Sequence, residues 1–300
     1  MSSAVTTFIK KSGTKSGVLL TRFVDICFPF IYKIHAKKFT GFIIEDISRS
    51  AYIVPPLETL KTIENFIEEK RRGAYMRFGD GDIFLAIGKN DAFQASRKML
   101  SEEMNESFSL RGPGIIKSLI IHSKNYGHEK EMYTGNHVVT DKKANELLKH
   151  VYPFFVGHQI FSPIALHYAA AYHPSIANIF LKLLKKETIL FIGNENIPET
   201  IVRKLFGEVK HIKTPSKNAY DKINIIEKEA EEILENEKKF GVVIISMGCS
   251  GRILIKRLHK GNYNIFFFDF GSLLDGICGN ETRTWLRKTK IDYEVLLKDL

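Results

Sequence analysis

Asp80 and Asp82 stand two residues apart in the run Arg77-Phe78-Gly79-Asp80-Gly81-Asp82, with a glycine before the pair and another between them. Hard cations such as Mg²⁺ and Mn²⁺ prefer oxygen ligands, and Mg²⁺ is usually held by one or two carboxylates together with substrate phosphates. Glycine lets the backbone turn tightly and come close to a ligand. Arg77, just ahead of the acids, offers a planar fork suited to phosphate or carboxylate. An ordinary polar turn would use the same residues, with Arg77 paired to a neighbouring acid, and Asp-x-Asp spacing is common. The spacing alone leaves both readings open.

Three further segments carry chemistry-capable groups. Met247-Gly248-Cys249-Ser250-Gly251 joins an apolar run to a helical pattern, and free N–H groups at a helix N-terminus bind phosphate. Ser250 would cap that helix or touch a phosphate oxygen. The segment lacks the Gly-Lys-Ser/Thr ending of a P-loop and the Gly-x-Gly-x-x-Gly dinucleotide pattern. Thr214-Pro215-Ser216-Lys217-Asn218-Ala219-Tyr220 offers Lys217 to a phosphate and Asn218 to a base or ribose, or else Asn218 as a helix cap. Asp269-Phe270-Gly271-Ser272-Leu273-Leu274-Asp275 offers Asp269 and Asp275 as a base or as support for a metal. Arg283 would meet negative charge growing on a leaving diphosphate, or lie on the surface. The 10 histidines are dispersed, and no Ser-His-Asp or Cys-His set has supporting context. His158 and His167 lie in apolar surroundings and read as packing residues.

Helices and strands must position these groups. Residues 52–56 read as a linker, because X-Pro-Pro disfavours helix. Leu57, Leu60, Ile63 and Ile67 predict an amphipathic helix over 57–72, and 74–78 a short strand running into the Gly79–Asp82 turn. Residues 96–124 read as helical, broken at Arg111-Gly112-Pro113-Gly114. A helix is expected over 164–172. Strands are expected at 188–192, 209–212, 241–247 and 264–269, and helices at 198–206, 219–239 and 252–259. Apolar strands alternating with helices predict a mostly parallel sheet covered on both faces. Ligands of such sheets bind beyond the carboxyl ends of the strands. Every segment named above, apart from Arg283, directly follows a predicted strand.

Composition bounds the class. At 44% hydrophobic and 26% charged residues, the 300-residue chain can bury a full core. Three unpaired cysteines, Cys27, Cys249 and Cys278, suggest neither a disulfide framework nor a zinc site, and fit a reducing, cytoplasmic setting. Residues 1–40 hold seven Lys and Arg against Asp25 alone, so +6 of the net +10 sits there. The rest is nearly balanced, and no nucleic-acid surface is expected. The apolar stretches of this arm are too interrupted for a spanning helix of about 20 residues, and no signal-peptide pattern follows. The arm either packs as a first helix or lies on an anionic membrane surface. The expected organisation is an arm and linker over 1–55 and one α/β domain over 56–300.

Taken together, the motifs are similar to those of a known family. Ala74-Tyr75-Met76-Arg77-Phe78-Gly79-Asp80-Gly81-Asp82, followed by Phe93-Gln94, resembles the N-terminal signature of GT-D-type glycosyltransferases, which typically read Arg-aromatic-Gly-Asp-Gly-Glu. Pro215-Ser216-Lys217-Asn218-Ala219-Tyr220, Ile245-Ser246-Met247-Gly248-Cys249-Ser250 and Phe268-Asp269-Phe270-Gly271 match in order. The resemblance implies a Rossmann-like fold, a UDP-sugar donor, a glycan or glycoconjugate acceptor, and Mn²⁺ or Mg²⁺ on Asp80 and Asp82. On this reading Arg77, Gly79, Lys217, Asn218, Gly248, Ser250, Gly271, Ser272 and Arg283 are expected around the donor, and Asp275 or Asp269 as the base that activates the acceptor hydroxyl. Two departures stand out. Asp82 replaces the usual Glu, a shorter reach. Ser272 stands where many bacterial members have His, and the acidic-aromatic segment that follows in them is not matched. Two other readings compete. One is a different Rossmann-like transferase, such as a methyltransferase, needing no metal. The other is a non-enzymatic membrane or nucleic-acid adaptor working through the arm.

Overall fold

The computed structural model describes residues 53–121, 141–155, 158–280 and 284–300. The basic arm, and Arg283 with it, lies outside the described residues. The chain runs through α1 (Pro56–Glu68), β1 (Gly73–Phe78), α2 (Asp80–Ala86), α3 (Lys98–Ser109) and β2 (Ile115–Leu119). It continues with α4 (Asp141–Leu148), α5 (Ala165–Tyr172), α6 (Pro174–Glu187), β3 (Thr188–Asn194), α7 (Glu199–Phe206) and β4 (Lys210–Thr214). A 3₁₀ turn (Ala219–Lys222) then leads to α8 (Ile223–Leu234), β5 (Gly241–Ser246), α9 (Ser250–Leu258), β6 (Ile265–Asp269), α10 (Leu273–Ile277), α11 (Thr284–Lys288) and α12 (Tyr293–Leu296).

The six strands form one sheet in the order β2-β1-β6-β5-β3-β4, and every pairing is parallel. The central strands are apolar along most of their length because both of their faces are covered. Alternate residues point to opposite faces. Met76, Val243, Ile245 and Phe267 meet Ile83, Met104, Ile226 and Leu254 on one side. Tyr75, Val242, Ile244 and Phe268 meet Ile63, Phe180, Leu184 and Leu205 on the other. Aromatic contacts tighten the second face, with Tyr75 and Phe180 each 5.5 Å from Phe268 between ring centroids.

Four expectations need correction. Residues 115–119 are not helical but form β2. Lys117 and Ser118 disguised it: the Lys117 ammonium is buried on the carbonyls of Phe108 (2.7 Å) and Phe154 (3.1 Å), and the Ser118 hydroxyl donates to the Met76 carbonyl at 3.0 Å. The expected linker is docked, since Ile53 bridges to Ile160 and the buried Val54 donates its N–H to the Ile160 carbonyl at 2.9 Å. The expected helix over 219–239 begins as a 3₁₀ turn after Asn218, whose φ of 54° breaks the helical path, and ends at Leu234 with its apolar stripe. The Gly79–Asp82 turn is the start of a helix, α2. That helix closes at Gly88 (φ 78°), where the N–H groups of Gly88 and Lys89 return to the carbonyls of Leu85 and Phe84.

Candidate active site at the carboxyl edge of the sheet

Asp80 and Asp82 both occupy the first turn of α2, where carboxylates complement the helix dipole. One residue of separation along a helix turns side chains apart, and the two acids diverge. Asp82 is 1% exposed. Its Oδ2 accepts the Gly79 N–H at 2.7 Å, and its Oδ1, which lacks a hydrogen bond, lies 3.5 Å from Arg252 Nε. Burial pushes the Asp82 carboxyl up to about 6, against the pull of Arg252 and the Gly79 N–H. Asp80 is exposed, and its Oδ1 accepts the adjacent Gly81 N–H at 2.9 Å.

Behind them lies a buried charge cluster. Asp269, at the end of β6, is 3% exposed. Its Oδ2 faces Arg252 Nε at 3.2 Å and the Arg77 backbone N–H at 3.3 Å, and its Oδ1 lies 3.9 Å from Arg77 Nη1. Arg252, on α9, also donates to the carbonyls of Arg77 and Gly248. Burial works against its charge, but Asp269 and Asp82 outweigh that and hold it firmly protonated. One guanidinium thus ties β1, β6, α2 and α9 together. Sequence reasoning passed over Arg252, which looks like any cation in an amphipathic helix.

Arg77 is likewise taken up by the protein. Nε donates to the Pro163 carbonyl, and Nη2 lies 3.2 Å from His167 Nε2. Gly271 has a φ of 71°, and a Cβ there would fall 1.2 Å from Arg77 Nη1, so only glycine admits the arginine. Ser272 accepts the Trp285 indole N–H at 3.1 Å and lies 3.4 Å from His167 Nε2. His167, read from sequence as packing, is buried but serves the site by holding Arg77 and Ser272 in place. Asp275 is half-buried on α10.

The outer rim is built differently. Ser250, 2% exposed, opens α9, and Gly248 before it is exposed. Lys217 is exposed on the loop after β4. Asn218 is committed to protein contacts: its Oδ1 accepts the Ala95 N–H and its own N–H reaches the Phe93 carbonyl, both at 2.9 Å. Residues 89–97, which follow α2, therefore return over the sheet edge as a strap. Asp91 on this strap contacts Cys249, its Oδ2 lying 3.9 Å from Sγ. Burial, with Asp82 beside it, pushes the Cys249 thiol well above its usual range. Among the described residues, no three His, Cys, Asp or Glu side chains gather around a point fit for a metal. The donor set thus suits a cation held by Asp80 alone with phosphate oxygens and water, while Asp82 faces the competing charge of Arg252.

An all-parallel sheet with polar residues gathered beyond its carboxyl edge is the layout of an α/β enzyme. The family model described as "Glycosyltransferase GT-D fold" matches residues 75–274, two thirds of the chain. The chain belongs to this GT-D glycosyltransferase family and is a transferase. A solved structure described as a new glycosyltransferase from Streptococcus sanguinis superposes with a TM-score of 0.56 at 17% identity, covering 83% of this chain and 93% of that one. Another, described as a highly conserved domain of unknown function 1792 with a distinct glycosyltransferase fold, gives 0.58 at 18% identity, covering 86% and 92%. A selenomethionine-substituted structure of that domain gives 0.59 at 16% identity, with the same coverage. At these identities the structures establish the shared fold. No curated protein matches the sequence.

Proposed function

We propose that this transferase moves a sugar from a UDP-sugar to a hydroxyl of a glycan or glycoconjugate, with a divalent cation, Mn²⁺ or Mg²⁺, at Asp80. The observation that carries this reading is the split between the two acids: Asp80 stands exposed at a helix N-terminus on the sheet edge, while Asp82 is buried against Arg252. Lys217 and the N–H groups opening α9 supply the positive rim for a diphosphate. Asp80 would hold the cation, which would there supply positive charge against the leaving diphosphate. Asp82, Arg77 and Arg252 hold the strand ends in place and leave the chemistry to others. Asp275 is assigned as the base for the acceptor hydroxyl, with Asp269, already flanked by two arginines, as its alternative. In this reading the excess positive charge of residues 1–40 meets an anionic membrane surface.

Isothermal calorimetry with UDP, with and without Mn²⁺, tests the donor, and a panel of nucleotide sugars assayed for Mn²⁺-dependent hydrolysis identifies it. Asp80→Ala removes an exposed side chain, so stability should stay within about 0.5 kcal/mol while the Mn²⁺ stimulation disappears. Equal binding with and without Mn²⁺ in the parent would refute the metal role and favour a metal-free transferase.

A further inference from the structure

Resting on the donor-site reading above, we propose that Gln94 is a positioning residue: its buried carboxamide locks the loop after β4 and the N-terminus of α9 into one arrangement that grips a nucleoside diphosphate. Gln94 sits in the strap over residues 89–97 and is 4% exposed. Its Oε1 accepts the Tyr220 backbone N–H at 3.1 Å and the Ser250 hydroxyl at 3.2 Å. Its Nε2 donates to the Ala95 carbonyl at 3.1 Å. Both lone pairs of one oxygen are used, and the two donors belong to loops that follow different strands, β4 and β5, with β3 between them.

The strap also reaches further. It begins from α2, just after β1, and β1 lies four places from β4 in the sheet, roughly 19 Å at the usual strand spacing. Asn218 and Phe93 stitch it to the β4 loop, and Arg97 meets Asp221 at 3.1 Å in an exposed pair that contributes little. The buried amide is a single side chain that meets both segments at once. An apolar side chain at 94 would fill the space but leave the Tyr220 N–H and the Ser250 hydroxyl without their acceptor, and both loops would lose a shared reference point. A diphosphate needs Lys217 and the α9 N-terminus at a set separation, and affinity drops when that separation is not prepared in advance.

Gln94→Leu and Gln94→Glu, studied in the full chain, separate positioning from packing. Gln94→Glu keeps an acceptor oxygen for the Tyr220 N–H and the Ser250 hydroxyl, while it loses the donation to Ala95 and introduces a negative charge at a buried position. Hydrogen exchange should show amides of residues 217–221 in Gln94→Leu exchanging at least about tenfold faster, with β3, β5 and β6 unchanged. Affinity for UDP with Mn²⁺ should fall by roughly ten- to a hundredfold, and Gln94→Glu should recover the protection and much of the affinity. Parental exchange in Gln94→Leu overturns the clasp. Faster exchange with parental UDP affinity overturns the positioning role. A parent chain that binds no UDP with Mn²⁺ overturns the donor reading and the ligand assigned here, while the exchange data still report on the clasp.

Discussion

Replacing Arg252 by Met tests the claim that one buried cation holds the sheet edge together. Arg252 is 11% exposed at its side chain, against 2% for Asp82 and 4% for Asp269. Methionine conserves the stem and removes the charge. It leaves two buried carboxylates facing each other and strips a donor from the carbonyls of Arg77 and Gly248. Removing one partner of a buried ion pair costs about 3–5 kcal/mol, because the remaining charge stays buried and uncompensated. For a chain of this size a kcal/mol lowers the melting temperature by about 2–4 °C, so a fall of at least about 6 °C is expected at pH 8. The deficit should shrink at pH 5. Without Arg252 the Asp82 carboxyl, already at about 6, rises further and takes up a proton, so its buried charge disappears as pH falls. Urea and thermal unfolding at both pH values measure this. Adding Asp82→Asn to the variant should restore at least about 1 kcal/mol through coupling. A deficit under about 1 kcal/mol at pH 8, or one equal at pH 5 and pH 8, would refute the electrostatic account.

Two other perturbations follow from the same geometry. Gly271→Ala places a Cβ onto Arg77 Nη1 at a φ of 71°, and should lose about 1 kcal/mol from the backbone and about 1.5–3 kcal/mol from the displaced arginine's hydrogen bonds; thermal melting checks it, and an unchanged midpoint would mean that Arg77 is not held there. Burial, then the charges of Arg111 and Lys117, push His158 down to about 4 from an ordinary 6.5, so the unfolded chain binds its proton first and stability is lost as pH falls from 6.5 towards 4. His158→Gln should flatten that stretch of the stability profile, and an unaltered slope in chemical unfolding would count against the assignment.

The sheet and the edge that gathers the candidate residues were legible in the sequence because they depend on local composition. Residues 189–192, 242–245 and 265–268 are apolar without interruption, which is the mark of strands covered on both faces, and four loops with polar residues follow strands. β2 was not legible, because Lys117 and Ser118 are satisfied by carbonyls brought in from Phe108, Phe154 and Met76. The site divided in the same way. The Asp80 and Asp82 pair could be found by spacing, but their opposite fates could not, since one helical step turned Asp82 into a neighbourhood supplied by Arg252, 170 residues later. Arg77, the cation most conspicuous in the motif, faces Pro163 and His167, whereas the unremarked Arg252 became the centre of the cluster. Gln94 meets Tyr220 and Ser250 only because a parallel sheet delivers every strand's carboxyl end to the same edge. Composition and periodicity are properties of neighbours along the chain, so sequence alone determined the layers and the edge. Which charge is buried, and against what, depends on partners far apart in sequence, and only the tertiary structure decided it.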